Sequence, residues 1–168
     1  MKISFRFPKG LYKTIQTDLS RPHQFAGERV GFVECGAGAT SDGGLILLAE
    51  AYNPVDDSHY IDDPSAGATI NSAAFRAQLQ RAYHRPMSVF HIHRHEHFGA
   101  PRFSPIDLTE SRKFVPDFFK VQKARSHGVI VLSHDSGYGL CWTPGERDPV
   151  SIGEFVVVGR PIERLRND

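Results

Sequence analysis

The chain has 168 residues, 40% of them hydrophobic, with 12 Phe and 1 Trp; that is enough apolar material for a core and too much for a disordered chain. Twenty Lys and Arg against nineteen Asp and Glu leave a net charge of +1, so no global bias selects a nucleic-acid backbone or an anionic bilayer. The longest apolar runs, such as Leu45–Ala49, fall far short of the roughly 20 residues of a transmembrane helix, and the length reads as one domain over residues 1–168.

Ile3, Phe5 and Phe7 alternate with polar residues as a strand does, without the basic start and apolar stretch of a secretory signal. Two cysteines, Cys35 and Cys141, stand far apart in no Cys-x-x-Cys pattern, so the expected setting is reduced and cytoplasmic. Leu11 to Leu19 reads as a short amphipathic helix ended by Arg21-Pro22. Val30 to Cys35 and Leu45 to Tyr52 are apolar runs joined by the Gly-rich segment 36–44, which predicts an antiparallel hairpin. The acidic stretch 56–64 reads as a solvated loop around a short strand at Tyr60-Ile61.

Asn71 is placed to N-cap a helix from Ser72 to His84, where Phe75, Leu79, Ala82 and Tyr83 recur at helical spacing. Ser88 to His93 reads as a strand, followed by the irregular segment 94–103. Ser104-Pro105 then opens a helix with Pro at its first position, expected to reach Val115 or Phe119, with Pro116 as a kink or stop. Gly128 to Ser133 and Tyr138 to Trp142 flank a turn at 134–137, and Phe155 to Val158 is expected as the last strand. This order predicts an α+β or mixed α/β domain.

Four of the nine histidines fall within 91–97. Side chains two apart in a strand share a face, so His91 and His93 can offer two imidazoles to one metal ion. No thiol lies nearby, which points to a catalytic site with three N or O ligands and a position left for water. Asp107, in the first turn of the helix that Ser104-Pro105 starts, is the obvious third ligand. His95 and His97 continue the period-2 series as rival ligands, although Gly99 and Pro101 suggest that the strand has ended by then. Without further context these histidines also read as ordinary polar surface.

His91-x-His93, ten residues, then Ser104-x-x-Asp107, preceded by Glu28 in the run Gly-Glu-Arg-Val-Gly-Phe-Val, resembles the JAMM signature of the MPN (JAB) metalloprotease family. The element order from Ile3 to Trp142 is similar as well. The resemblance implies the MPN fold, a curved mixed β-sheet flanked by helices with cytidine-deaminase-like layering. It implies one Zn²⁺ per chain on His91, His93 and Asp107, with Glu28 acting on the water and Ser104 stabilising the oxyanion. Glu34 and Glu50 are rival carboxylates, but only Glu28 is followed by the Gly31-Phe-Val pattern. The sequence departs from the commoner family spacing of seven residues between the second His and the Ser, which makes the 94–103 loop longer.

The implied activity is zinc-dependent isopeptidase or peptidase cleavage after the C-terminal tail of a ubiquitin-like protein. The segments Phe90-His-Ile-His-Arg-His-Glu-His and Phe114-Val-Pro-Asp-Phe-Phe resemble the bacterial, antiphage-associated branch, which implies E1-like and E2-like partners and neither nucleic acid nor membrane. Such a tail lies as an added strand, with glycines near the scissile bond. Candidate walls are the loops 36–44 and 56–63, the segment 94–103, and Phe114, Phe118 and Phe119. The alternatives are a non-catalytic MPN-type scaffold that binds a ubiquitin-like partner, and a histidine-triad nucleotide hydrolase. The triad wants hydrophobic interleaving positions where this chain has Arg94 and Glu96. A cupin wants a Glu four or five positions beyond the second His, and Glu96 is three beyond His93. The His-x-His-x-Asp-His of metallo-β-lactamases fits no register.

Overall fold

The structure is a computed structural model that describes residues 1–167. In chain order its elements are β1 (Ile3–Pro8), α1 (Lys9–Leu19), β2 (Val30–Ala39), β3 (Leu45–Pro54), β4 (Tyr60–Ile61), β5 (Thr69–Ile70) and α2 (Ser72–His84). They continue with β6 (Ser88–Arg94), α3 (Pro105–Val121), β7 (His127–Leu132), β8 (Gly137–Trp142), β9 (Val150–Ser151), β10 (Glu154–Val158) and β11 (Glu163–Leu165). Nine strands form one mixed sheet in the order β11-β10-β1-β3-β2-β6-β7-β8-β9, and β4 pairs with β5 beside it. Parallel pairing joins β1 to β3 and β10, and β6 to β7; the other neighbours are antiparallel. The class is mixed α+β, as the element order predicts.

Two apolar layers sandwich the sheet. On one face Phe5 and Phe7 of β1, Ile15 and Leu19 of α1, Phe90 and Ile92 of β6 and Phe155 of β10 form a fully or nearly fully buried cluster. On the other, Val30 and Phe32 of β2 and Val89 of β6 pack with Ala74 and Ala82 of α2 and Phe118 of α3. The alternation along β6 therefore sends its even-numbered residues towards α1 and its odd-numbered ones towards α2 and α3. That places the odd-numbered histidines on the α2–α3 side.

α2 has the bounds that its spacing predicts, and the Asn71 side chain caps it by accepting from the backbone N–H groups of Ala73 and Ala74 at 3.0 and 3.3 Å. α3 departs from expectation. It passes Pro116 and ends at Val121, because Val115 and Phe118 on either side of the proline are buried and tertiary packing outweighs the one lost backbone bond. The strand at Phe155–Val158 is not the last, since β11 returns antiparallel against β10. β5, β9 and β11 are two or three residues long, too short for a period to show, and each exists by pairing antiparallel with the strand that precedes it in the chain. Cys35 and Cys141 are buried free thiols. Among the described residues no helix is long and apolar enough to cross a membrane.

His127 ties β7 to β6. Its Nδ1 accepts from the backbone N–H of Val89 at 3.1 Å, and Nε2 lies 3.1 Å from the Gln122 carbonyl, so the bonds select the neutral tautomer protonated at Nε2. Burial pushes its pKa down to about 4, with the Gln122 carbonyl opposing. Between pH 6.5 and 4 the unfolded chain then binds a proton that the folded chain refuses, so stability is full above this window and falls as the pH drops through it. This one residue accounts for a loss on the order of 3 kcal/mol across the window. Urea unfolding at stepped pH is expected to show a shallower slope for His127→Gln than for the parent, by about one proton; equal slopes would exclude His127 as the cause.

Candidate metal centre

A cleft of about 520 Å³ opens between β6, the start of α3 and the 63–70 segment. Glu28, His91, His93, Ser104 and Asp107 all line it, and so does His95. The backbone explains the gathering. In the antiparallel β2–β6 register Phe32 faces His91 and Val30 faces His93, and the same register carried two residues further sets Glu28 across from His95. The structure has His95 Nε2 3.5 Å from Glu28 Oε1. β6 ends at Arg94, but the backbone N–H of His95 still donates to the Leu132 carbonyl at 2.9 Å, so the ladder to β7 runs one residue past the strand.

Arg94 points the opposite way. Its guanidinium is nearly buried, donating to Gln16 Oε1 of α1 at 2.6 Å and to both oxygens of Glu96 at 2.6 and 2.7 Å. Anchored on that face, it leaves His93 and His95 no choice but the cleft. Ser104 and Asp107 arrive together because they cap α3 reciprocally: Ser104 Oγ accepts from the Asp107 N–H at 3.2 Å, and Asp107 Oδ2 accepts from the Ser104 N–H at 2.7 Å. That carboxylate lies 3.9 Å from His93 Nε2.

Glu28, His93 and His95 offer ligand atoms all within 4.8 Å of one another, and among the described residues no other group of three does so. His93 Nε2 is a buried polar atom without a hydrogen-bond partner, which an ion in the cleft would satisfy. The residues that the sequence reading selects, His91, His93 and Asp107, share the cleft without closing to that separation. His91 is half-buried, its ring 5.5 Å from that of Phe32 and 5.3 Å from that of Phe114. His95 is the residue that the spacing passes over; the unbroken period of two through 91, 93 and 95 was its signal.

Burial depresses the pKa of all three histidines, to about 3 for His91 and about 4 for His93, with the Asp107 charge opposing each time. At neutral pH they are neutral imidazoles with a lone pair free for a metal. Glu28 moves the other way, up to about 7, through burial first and the nearby Asp107 charge second. The rival carboxylates lie elsewhere. Glu34 is buried and accepts from Asn53 Nδ2, Gln78 Nε2 and Arg85 Nη1 at 2.9, 3.1 and 3.4 Å, and Glu50 is 3.9 Å from Arg85.

Of the expected walls, Phe103, Phe114 and the end of the acidic loop line the cleft. The 36–44 hairpin tip does not, Phe118 is core, and Phe119 packs with Val129 and Trp142. The wall that sequence reading missed is Gly67, whose carbonyl accepts from the Glu28 N–H at 2.9 Å. No known family model matches the chain, and no curated protein matches it.

A Cβ at Gly67 would sit 2.7 Å from Glu28 Oε2 and 2.8 Å from its Cδ, so Gly67→Ala must displace the carboxylate or the loop. Unfolding is expected to show a cost of about 1–3 kcal/mol for Gly67→Ala, reduced when Glu28→Ala removes the clash. Gly27→Ala, where the nearest atom is 3.5 Å away, is the control and is expected to cost little. Additive Gly67 and Glu28 effects would show that the two do not press on each other.

Proposed function

We propose that the chain is an MPN-fold, zinc-dependent peptidase or isopeptidase that cleaves after the C-terminal tail of a ubiquitin-like protein. The observation that carries this reading is the meeting, in one cleft, of the buried His93, the half-buried His91 and His95, the carboxylates of Glu28 and Asp107, and a Ser104 hydroxyl whose proton is free to donate. The nitrogen and oxygen donors with no sulfur suit a catalytic zinc with an open position. When bound, the metal would polarise the scissile carbonyl and acidify water.

The rest of the chemistry belongs to the chain. Glu28, held beside His95 at the mouth of the donor group, takes a proton from water and hands it to the leaving amine. Ser104 spends an acceptor lone pair on the Asp107 N–H, which leaves its own O–H to donate to the carbonyl oxygen as charge develops. Asp107 Oδ2 accepts from the Ser104 N–H and also faces His93, so the oxygen that holds the helix start is the one that would offer a remaining lone pair to the metal.

Two features support a peptide tail as substrate. β5 pairs with β4 on one side only, and its Thr69 and Ile70 line the cleft, so an extended chain can add there as a strand. The lining also contains Glu28, Asp63, Asp107 and Glu110 and no Lys or Arg, which favours a tail of basic or neutral residues.

Protein purified without chelator is expected to carry about one zinc per chain. Glu28→Gln is expected to keep the zinc and abolish cleavage of a ubiquitin-like protein bearing a C-terminal peptide extension. Ser104→Ala is expected to lose roughly 10²- to 10³-fold in turnover and about 1 kcal/mol of stability through the lost cap. A folded chain that binds no zinc, or cleavage that survives Glu28→Gln, overturns the reading.

A further inference from the structure

We infer that the two nitrogen ligands of the metal are His93 and His95, one step along the alternation from the pair that the sequence reading selects, and that His91 is a packing residue beside them, held against Phe32 and Phe114. The inference rests on the metal reading above and concerns which residues carry it.

Distance argues first. Two imidazoles that share one tetrahedral zinc through N–Zn bonds of about 2.0–2.1 Å have ring centres roughly 5 Å apart. The His93 and His95 rings are 5.1 Å apart, and the His91 and His93 rings 6.2 Å. The compact donor group contains His93 and His95 and omits His91.

Surroundings argue second. His91 lies between Phe32 and Phe114, edge-on to the first and tilted against the second, as a core aromatic would. To close on His93 as an ion would require, it would have to give up that contact with Phe32 and Phe114. His95 needs no such movement. The extra bond to Leu132 keeps it in strand alignment, and the Arg94 anchor on the reverse face holds its orientation.

The carboxylates fit this pair. Asp107 flanks His93 at 3.9 Å and Glu28 flanks His95 at 3.5 Å, so the two imidazoles stand between two acids. One acid can ligate while the other remains beside the ion as the base.

The test uses the full-length protein and zinc itself. His91→Phe, a substitution that the aromatic surroundings can accept, and His95→Ala are purified without chelator and assayed for zinc content. Cobalt(II) titration followed in the visible range reports ligand geometry, and unfolding in the presence of a chelator shows that each variant is folded. His91→Phe is expected to keep about one zinc with an unchanged cobalt spectrum; His95→Ala is expected to lose zinc affinity by about a hundredfold or more. Loss of zinc from folded His91→Phe overturns the inference, whether or not His95→Ala loses it too. So does full zinc retention by folded His95→Ala.

Should either variant fail to fold, the imidazole ¹⁵N resonances of the parent protein decide. Zinc addition is expected to shift those of His93 and His95 and leave that of His91 in place; a metal-dependent shift at His91 overturns the assignment. A parent chain that binds no zinc at all removes the proposed function itself, whereas zinc held through His91 removes only this inference.

Discussion

Strand β6 runs through the middle of the sheet with β2 on one side and β7 on the other, and its strict alternation organises the molecule. Phe90 and Ile92 are fully buried towards α1, and Arg94 continues that series by locking onto Gln16 and Glu96. Each of these contacts fixes the opposite parity as well. A slip of one residue would drive two hydrophobics and an arginine into the cleft and three histidines into the core, so the register is defended from both faces. The site therefore draws its rigidity from the burial of residues that take no part in it.

The same burial sets the electrostatics. Imidazoles enclosed by β2, β6 and α3 are kept neutral, because a charged ring in that place would lack solvent. Glu28 and Asp107 share the cleft as acids of like charge, and enclosure shifts the more buried of the two towards its neutral form. A divalent cation between them would relieve the orphaned His93 nitrogen and the repulsion between carboxylates at once.

α3 couples the site to the fold through its first turn. Ser104 and Asp107 satisfy each other's backbone N–H groups in a capping box, so the two polar groups offered to the cleft also secure the helix. The proline at the first helical position and the buried Val115 and Phe118 further along hold that turn against the sheet. Gly67 acts from the other wall, where the absence of a side chain lets the loop close over Glu28.

Much of this was legible in the residues. The periods of two and of 3.6 located β1, β2, β3, β6, β7, β8, β10 and the helices, and the Asn71 and Ser104 caps marked where α2 and α3 begin, because local chemistry suffices for such features. The cluster of histidines pointed to a group that could hold a metal ion, and Glu28, Ser104 and Asp107, selected by pattern, do line the same cleft. For the ligand pair the spacing admits two registers. If His93 and His95 are taken as the pair, eight residues precede Ser104, nearer the commoner seven of the family signature than the ten that follow His93. Gly99 and Pro101 marked the strand end, and β6 does close at Arg94, but only the sheet shows the further bond from His95 to Leu132. Helix α3 crossing Pro116, the separation of Glu34 and Glu50 from the cleft, and the closeness of Gly67 to Glu28 depend on contacts between segments distant in the chain, whereas β5, β9 and β11 pair with the strands just before them and are only too short to show a period. Sequence alone determined which chemical groups this protein owns and the faces on which they alternate; the tertiary structure decided which of them meet, since distances of 4–5 Å between side chains arise from strand register and packing that no local pattern encodes.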